Sequence, residues 1–546
     1  MARGCSYNCD NPPTTIKFDS DITGPGVIIG YTATAGIAVA LISVHYFIAF
    51  QPVLDPFRHG DNSPSPQAPP FSPNPVDMMI LRFLRRPFRT TLTVKKNSQS
   101  RWVRLDARLT KCILTMSDLQ LATGLAILIS GYTQLRCGIS AYHWVFISRL
   151  AWFSSLTHLS CLTFLRNYLH NHSAERHWRL FFMLALVVML ATAMGPMYNS
   201  QIYGRYSHWQ PQPSALTQYA ICSYPAKHIS TDTKGFFTTV VLLSLIVLGF
   251  VFRVIKLHKP FSTFINKGLR RPISQHTRRL LWVLMRRKSL SRGLCSLAGD
   301  ILYYPLLAWF LSIRLVMDHF SSMFFEVYWL DISFAVGLVG LLVDITLFSV
   351  NLYSKDEQID GVTDSNWSFG QIMPVILLVV PLINIVESLY PAREQQPHSS
   401  FTSSSAQNNG SFLIPITQTQ SNSLSTGLDP DADYYRGSTA MAAGTVYIFI
   451  CEVALSAAVI LWQTLYTNDA HMSASNLGYG LLILASGLWL LILVSFPIDH
   501  VARTNGSRWP AIFLRILSIL LLGGCSTFCT LSFITPIFSF QGNILL

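Results

Sequence analysis

The sequence predicts an all-α fold: a polytopic transmembrane helical bundle of ten or eleven spans with its N-terminus outside. Three observations carry this. Long apolar runs recur through the chain, half of the residues are hydrophobic while 12% are charged, and the positive charge is concentrated in two connecting stretches. A hydrocarbon core of about 30 Å takes roughly 20 helical residues to cross. Inside lipid only helices and closed barrels satisfy their own backbone hydrogen bonds. The runs are continuous rather than alternating, which selects helices.

In chain order the apolar runs are Gly26–Phe50, Cys112–Leu135, Ala141–Leu165, Leu180–Tyr198, Gly235–Ile255, Asp300–Met317, Phe324–Val350, Met441–Leu465, Leu477–Ile498 and Ala511–Phe538. Gln371–Tyr390 is a further candidate, interrupted by Pro374 and Pro381. Residues 1–25 are polar and lack a basic region ahead of the first apolar run, so no cleavable signal is expected and Gly26–Phe50 reads as an uncleaved first span. The main helical domain then covers 26–390, a low-complexity loop 391–440, and C-terminal helices 441–546. Gly60–Pro75 and Ser399–Thr426 have the Pro-, Ser- or Asn-rich composition of extended linkers.

The stretches 58–111 and 253–292 hold 23 of the 40 Lys and Arg, and the second contains no acid. This is the positive-inside signature. It places loops 51–111 and 253–299 in the cytoplasm and residues 136–140 and 200–234 outside. Continued alternation brings Asn366, after the seventh span, to the cytoplasm. If Gln371–Tyr390 spans, 391–440 lies outside and the sequon at Asn409 is open to glycosylation. If it does not, Arg393, Arg436, Arg503 and Arg508 fall in the cytoplasm. The net charge of +13 does not indicate nucleic acid, because neither basic loop carries aromatic platforms or a recognition motif.

Cys5, Cys9, Cys137 and Cys222 fall on the outer side, where two disulfides can form. Cys5–Cys9 with Cys137–Cys222 is one of three pairings. Cys525 and Cys529 share a helix face as packing residues. His170, His172, Glu175 and His177 read as a solvated turn. Neither group constitutes a metal site, and no cofactor is implied.

Ionisable residues inside a span carry a functional expectation, since an unpaired charge there is costly. Asp118 lies on a stripe with Lys111, Thr115, Ala122, Ala126, Ser130 and Thr133, and His158 on one with Trp144, Ser148, Ala151, Ser154, Ser155 and Cys161. The two stripes are expected to face each other and to pair Asp118 with His158, as a structural hydrogen bond or as a proton-carrying or substrate-binding pair. Arg149 points to the opposite side of its helix. Glu452 is the first candidate for its partner, with Asp331 and Asp344 as alternatives. Arg278–Ser289, reading RRLLWVLMRRKS, has the pattern of a surface helix bound to anionic lipid at 278–292. Ser289, after three basic residues, is a phosphorylation candidate whose phosphate would weaken that attachment.

The stretches Asp21–Leu41, Met116–Trp144, Leu150–His170 and Trp367–Leu382 together resemble an uncharacterised group of multi-pass integral membrane proteins of filamentous ascomycete fungi. The resemblance brings no activity, substrate or site residues. P-loop, GxSxG, HExxH and DDxxD patterns are absent. The expected role is therefore non-enzymatic: a transporter, channel-like protein or sensor scaffold in the plasma membrane or an endomembrane. The alternative is a membrane-embedded enzyme acting on a hydrophobic or isoprenoid substrate by acid–base chemistry from Asp118 or Glu452.

Overall fold

The structure is a computed structural model that describes residues 7–11, 13, 19–53, 73–85, 98–197, 217–224, 233–265, 268, 271–290, 294–353, 367–379, 382–383, 385–386, 439–465, 487–495, 520 and 524. It is an all-α helical bundle. In chain order the principal helices are α1 (Pro25–Ile48), α2 (Pro75–Leu84), α3 (Ser98–Leu135), α4 (Ala141–Phe164), α5 (Ser173–Met197) and α6 (Thr233–Leu257). They continue with α7 (Arg271–Leu290), α8 (Leu294–Phe320), α9 (Met323–Tyr353), α10 (Phe369–Leu377) and α11 (Thr439–Leu465). Among the described residues, five helices are long and apolar enough to cross a membrane: Ser20–Ile48, Leu105–Leu135, Ser173–Gly195, Met323–Thr346 and Ala440–Ala457. That fits a membrane protein. Asn409, Cys5 and most of the last two apolar runs lie outside the described residues.

Helix starts follow local chemistry. Pro25 begins α1 at the position where its missing N–H costs nothing. Ser140 caps α4 by accepting from the His143 N–H. Gly138 has φ +87°, which a residue with a Cβ adopts at a cost, and it turns the chain from α3 into α4 against the Tyr219 ring.

α4 is the centre of the bundle, packed against α1, α3, α5, α6 and α9. All of its residues are buried except Arg149, Trp152 and Phe164. Because it meets protein rather than lipid all round, it tolerates hydroxyls on every side. Three of those hydroxyls turn back on their own helix: Ser148 donates to the Trp144 carbonyl (3.0 Å), Thr157 to Phe153 (2.8 Å) and Ser160 to Leu156 (3.0 Å). Helices in lipid gain little from burying apolar surface against each other and instead rely on close approach. A methyl group on Gly124 of α3 would come within 2.6 Å of Ser154 Cβ, and one on Gly131 within 3.0 Å of Ile147. The α3 face that meets α4 is thus Ser117, Gly124, Leu128 and Gly131. This corrects the sequence expectation, which put Asp118, Ala122, Ala126, Ser130 and Thr133 there; Ala122, Ala126, Ser130 and Thr133 are exposed.

The bundle has two distinct ends. At one, Cys9 is bridged to Cys222, Asp19 N–H reaches His143 Nε2 (3.3 Å), and residues 139–141 pair with 218–220. Cys137 is also disulfide-bonded. The Cys9–Cys222 bridge differs from the pairing named from sequence: it ties the N-terminal segment to the 217–224 loop. The other end gathers the basic loops. There Arg85 donates to the carbonyls of Tyr46, Phe47 and Phe50 at the C-terminus of α1, and His45 meets Asp106 (2.8 Å). Glu326 takes Lys256 (2.5 Å) and Arg253 (3.2 Å) from the C-terminal turns of α6.

The heading of α9 overturns part of the expected topology. Ser43 meets Asp331, Gly36 faces Phe334, and Phe153 and Arg149 of α4 meet Phe334 and Asp344. α9 therefore starts at the basic end and runs toward the disulfide end, opposite to the alternation inferred from sequence. α8 has the same heading, because α11 runs beside both: Gly444 abuts Leu315, Glu452 meets His319, Phe449 lies on Phe324, and Ser456 bonds Tyr328. α8 and α9 are not a hairpin. The residues that open α10 lie at the disulfide end, where Ser368 donates to Asp21, and Gln371 and Pro374 pack on Gly24, Gly26 and Gly30 of α1.

A second apolar cluster lies at the basic end, formed by Val76 of α2, Leu281 of α7, Leu307, Leu311 and Leu315 of α8, the start of α11 and residues 488–492. One of its links to the main bundle is Asp77. This buried carboxylate accepts from Met323 N–H (3.0 Å), Phe324 N–H (2.9 Å) and Tyr46 hydroxyl (3.0 Å). It caps α9 from another part of the chain. Burial pushes its carboxyl above the usual range against these three donors, which favour the charged form.

Candidate functional sites in the helix bundle

Three polar constellations involve the residues singled out by sequence. The first sits near the basic end of α3 and α4. His158 does not pair with Asp118. Its Nδ1 lies 2.7 Å from Ser117 Oγ and 3.0 Å from the Ser117 carbonyl. Asp118 instead forms a two-pronged pair with Arg179 of α5, Nε to Oδ1 at 2.7 Å and Nη2 to Oδ2 at 2.9 Å. The reason is geometric. Adjacent residues on a helix point about 100° apart, so when Ser117 faces α4, Asp118 faces α5. Arg179 Nη1 also donates to Glu175 Oε2 (2.7 Å), whose other oxygen accepts from Tyr168 hydroxyl (3.2 Å). The guanidinium is buried at 3% exposure and rests over the Trp178 ring.

Sequence reasoning missed Arg179, the last charged residue before an apolar run. A signal was available: Glu175 lies one turn earlier, and the pair enters the span at the depth of Asp118. A forked guanidinium between two carboxylates orients both and holds the α3–α5 contact in register.

Beside this pair, three buried side chains on the α3–α4 seam have polar atoms without a partner among the described residues: Gln120 Oε1 and Nε2, Ser154 Oγ and His158 Nε2. Ser117 meets His158 and Gly124 meets Ser154, so Gln120 lies between those two contacts on the same stripe. The cluster can exchange hydrogen bonds with a small polar species or move a proton.

The second constellation is Arg149 with Asp344, Nε to Oδ2 at 2.9 Å, linking α4 to α9. Asp344 had been an alternative; Glu452, the first candidate, does not reach Arg149. The reason is packing: α9 rather than α11 lies against α4. Gly340 makes room for the guanidinium, since a methyl there would lie 2.9 Å from Nη1.

The third is Glu452 with His319 Nε2 (2.9 Å), joining α11 to the end of α8. This places Glu452 in the link between the two apolar clusters. Ser289 falls in the last turn of α7. Among the described residues, no three His, Cys, Asp or Glu side chains are grouped to hold a metal ion. His172 is stacked on Tyr168 and bonds its carbonyl (2.9 Å). Comparison of the chain with protein-family models, with curated proteins and with solved structures finds no match.

Proposed function

We propose that the chain is a non-enzymatic integral membrane protein, a sensor scaffold whose basic end faces the cytoplasm. The observation that supports this reading is the enclosure of α4. A helix buried on nearly every side suits a rigid axis better than the wall of a conduit or a substrate chamber. The two acids that an enzyme would use as proton donors are engaged elsewhere, Asp118 by Arg179 and Glu452 by His319. The ion pairs gathered at the basic end suit a surface that reports the state of the bundle to the cytoplasm. Orientation follows from the charge bias of the loops.

One observation favours the second reading, a membrane-embedded acid–base enzyme: the buried imidazole of His158 beside Gln120 and Ser154. A metabolite profile of a gene-deletion strain separates the two. The scaffold reading expects no upstream compound to accumulate. Accumulation of a hydrophobic precursor, reproduced by an Asp118→Asn or His158→Gln protein that still folds, overturns it.

A further inference from the structure

The α7 helix has two faces of different chemistry. Leu281 is fully buried against α8, in the cluster with Tyr303 and Leu307. At 100° per residue, the side opposite Leu281 carries Arg279, Val283 and Arg286, flanked by Leu280 and Trp282, and all five are exposed. Trp282 is 47% exposed, and the Arg286 guanidinium lies 5.2 Å from its ring centre. No acid occurs anywhere in 253–292 to offset the arginines.

A face meant for water alone has no reason to expose a tryptophan, a leucine and a valine together. A face meant for an apolar protein groove would not alternate them with arginines. The boundary between headgroups and acyl chains satisfies both sets at once: indole and aliphatic groups enter the interface while guanidinium groups meet phosphate oxygens. Position agrees with chemistry, because the end of α8 and the second apolar cluster lie at the basic end of the bundle.

We propose that α7 is an in-plane docking helix whose exposed face binds the anionic surface of the cytoplasmic leaflet, held by Arg279 and Arg286 and seated by Trp282. Charge complementarity selects this occupant. The proposal rests on the chain being embedded in a membrane, and it stands whether or not the protein proves to be an enzyme. A phosphate on Ser289, one turn beyond Arg286, would oppose it by charge.

The test uses full-length protein in nanodiscs of phosphatidylcholine with a minority of phosphatidylserine. Retained lipids are counted by native mass spectrometry. Wild type is expected to retain phosphatidylserine above its share, and the excess should fall as salt screens the contact. A basic residue near an anionic surface contributes about fivefold in affinity, so Arg279→Gln with Arg286→Gln should lower the preference by up to about thirty-fold. Trp282→Ala should lower retention with charge unchanged. Arg101→Gln with Arg104→Gln, an equal loss of charge elsewhere, should leave most of the excess in place. The proposal is overturned if the α7 double variant retains as much phosphatidylserine as wild type, or if the control loses as much. If the double variant does not fold, the salt titration of wild type decides: an excess unmoved by salt overturns it.

Discussion

Replacing Asp77 tests how much one carboxylate contributes to joining the two apolar clusters. Asp77→Ala removes the acceptor for two backbone N–H groups at the start of α9 and for Tyr46 hydroxyl, all in a site where Asp77 is only 2% exposed. Loss of a helix cap alone costs about 1 kcal/mol. Leaving buried donors unsatisfied costs about 1–3 kcal/mol each. Against this stands the relief of no longer burying a carboxylate, so a net loss of about 2–4 kcal/mol is expected. At about 2 °C per kcal/mol for a large chain, purified protein in detergent should unfold roughly 4–8 °C lower. Asp77→Asn keeps one oxygen but turns an amide toward a donor, and should fall between the alanine variant and wild type. Tyr46→Phe leaves both cap bonds in place and should cost about 1 kcal/mol. The expected order of damage is therefore Ala, then Asn, then the Tyr46 variant. If Tyr46→Phe destabilises as much as Asp77→Ala, the cap on α9 does not carry the connection and the reasoning fails.

Two further outcomes follow from the same geometry. Arg149→Met should destabilise by about 3–5 kcal/mol because Asp344 is left buried without its counter-charge, whereas Arg149→Met combined with Asp344→Leu should recover most of the loss; additive losses in an unfolding titration would dissolve the pair. With the basic end in the cytoplasm, as proposed, the heading of α10 toward that end and of α11 away from it predicts a cytoplasmic connection between them. Asn409 should therefore show no glycosidase-sensitive mass shift, while a sequon introduced into the 200–216 loop as a control should; a shift at Asn409 would restore the alternation read from sequence.

The helices themselves were legible because their ends are local events. Gly24-Pro25 starts α1 and Ser140 starts α4 through chemistry contained within a few residues, and both boundaries lie within two residues of the apolar runs. Partners were less legible, because they depend on how each helix is rotated. Ser117 and Asp118 are neighbours in sequence, yet one serves α4 and the other α5; a rotation of about 100° exchanges them. Reading Asp118 as the inward residue chose the wrong partner for His158 and hid Arg179. Parity was hardest of all. Counting α8 as a crossing reversed α9, and the reversal moved Asp344 away from the depth of Arg149 and left Glu452 as the apparent partner. The cue that corrects it lies in the charges: Glu326, at the start of α9, is the counter-ion for Arg253 and Lys256 at the basic end of α6.

Hydropathy finds the Ala141–Leu165 run but gives no sign that this helix is the centre of the architecture. α4 is not among the five helices apolar enough to be recognised as spans, since it carries Arg149, His158 and several serines and threonines. A helix facing lipid could not carry that composition without penalty. α4 can, because its neighbours replace lipid on nearly every side and three of its hydroxyls return to carbonyls one turn back. Polarity in a bundle of this kind is thus a marker of the centre rather than of the surface. The contrast is sharpest between α4 and α5, which exposes Phe181, Leu184 and Val188. If a polar helix were instead at the lipid boundary, its hydroxyls would still bond their own carbonyls, but Arg149 would have no Asp344 to meet. The ion pair between α4 and α9, rather than the hydroxyls, is what identifies α4 as the enclosed helix.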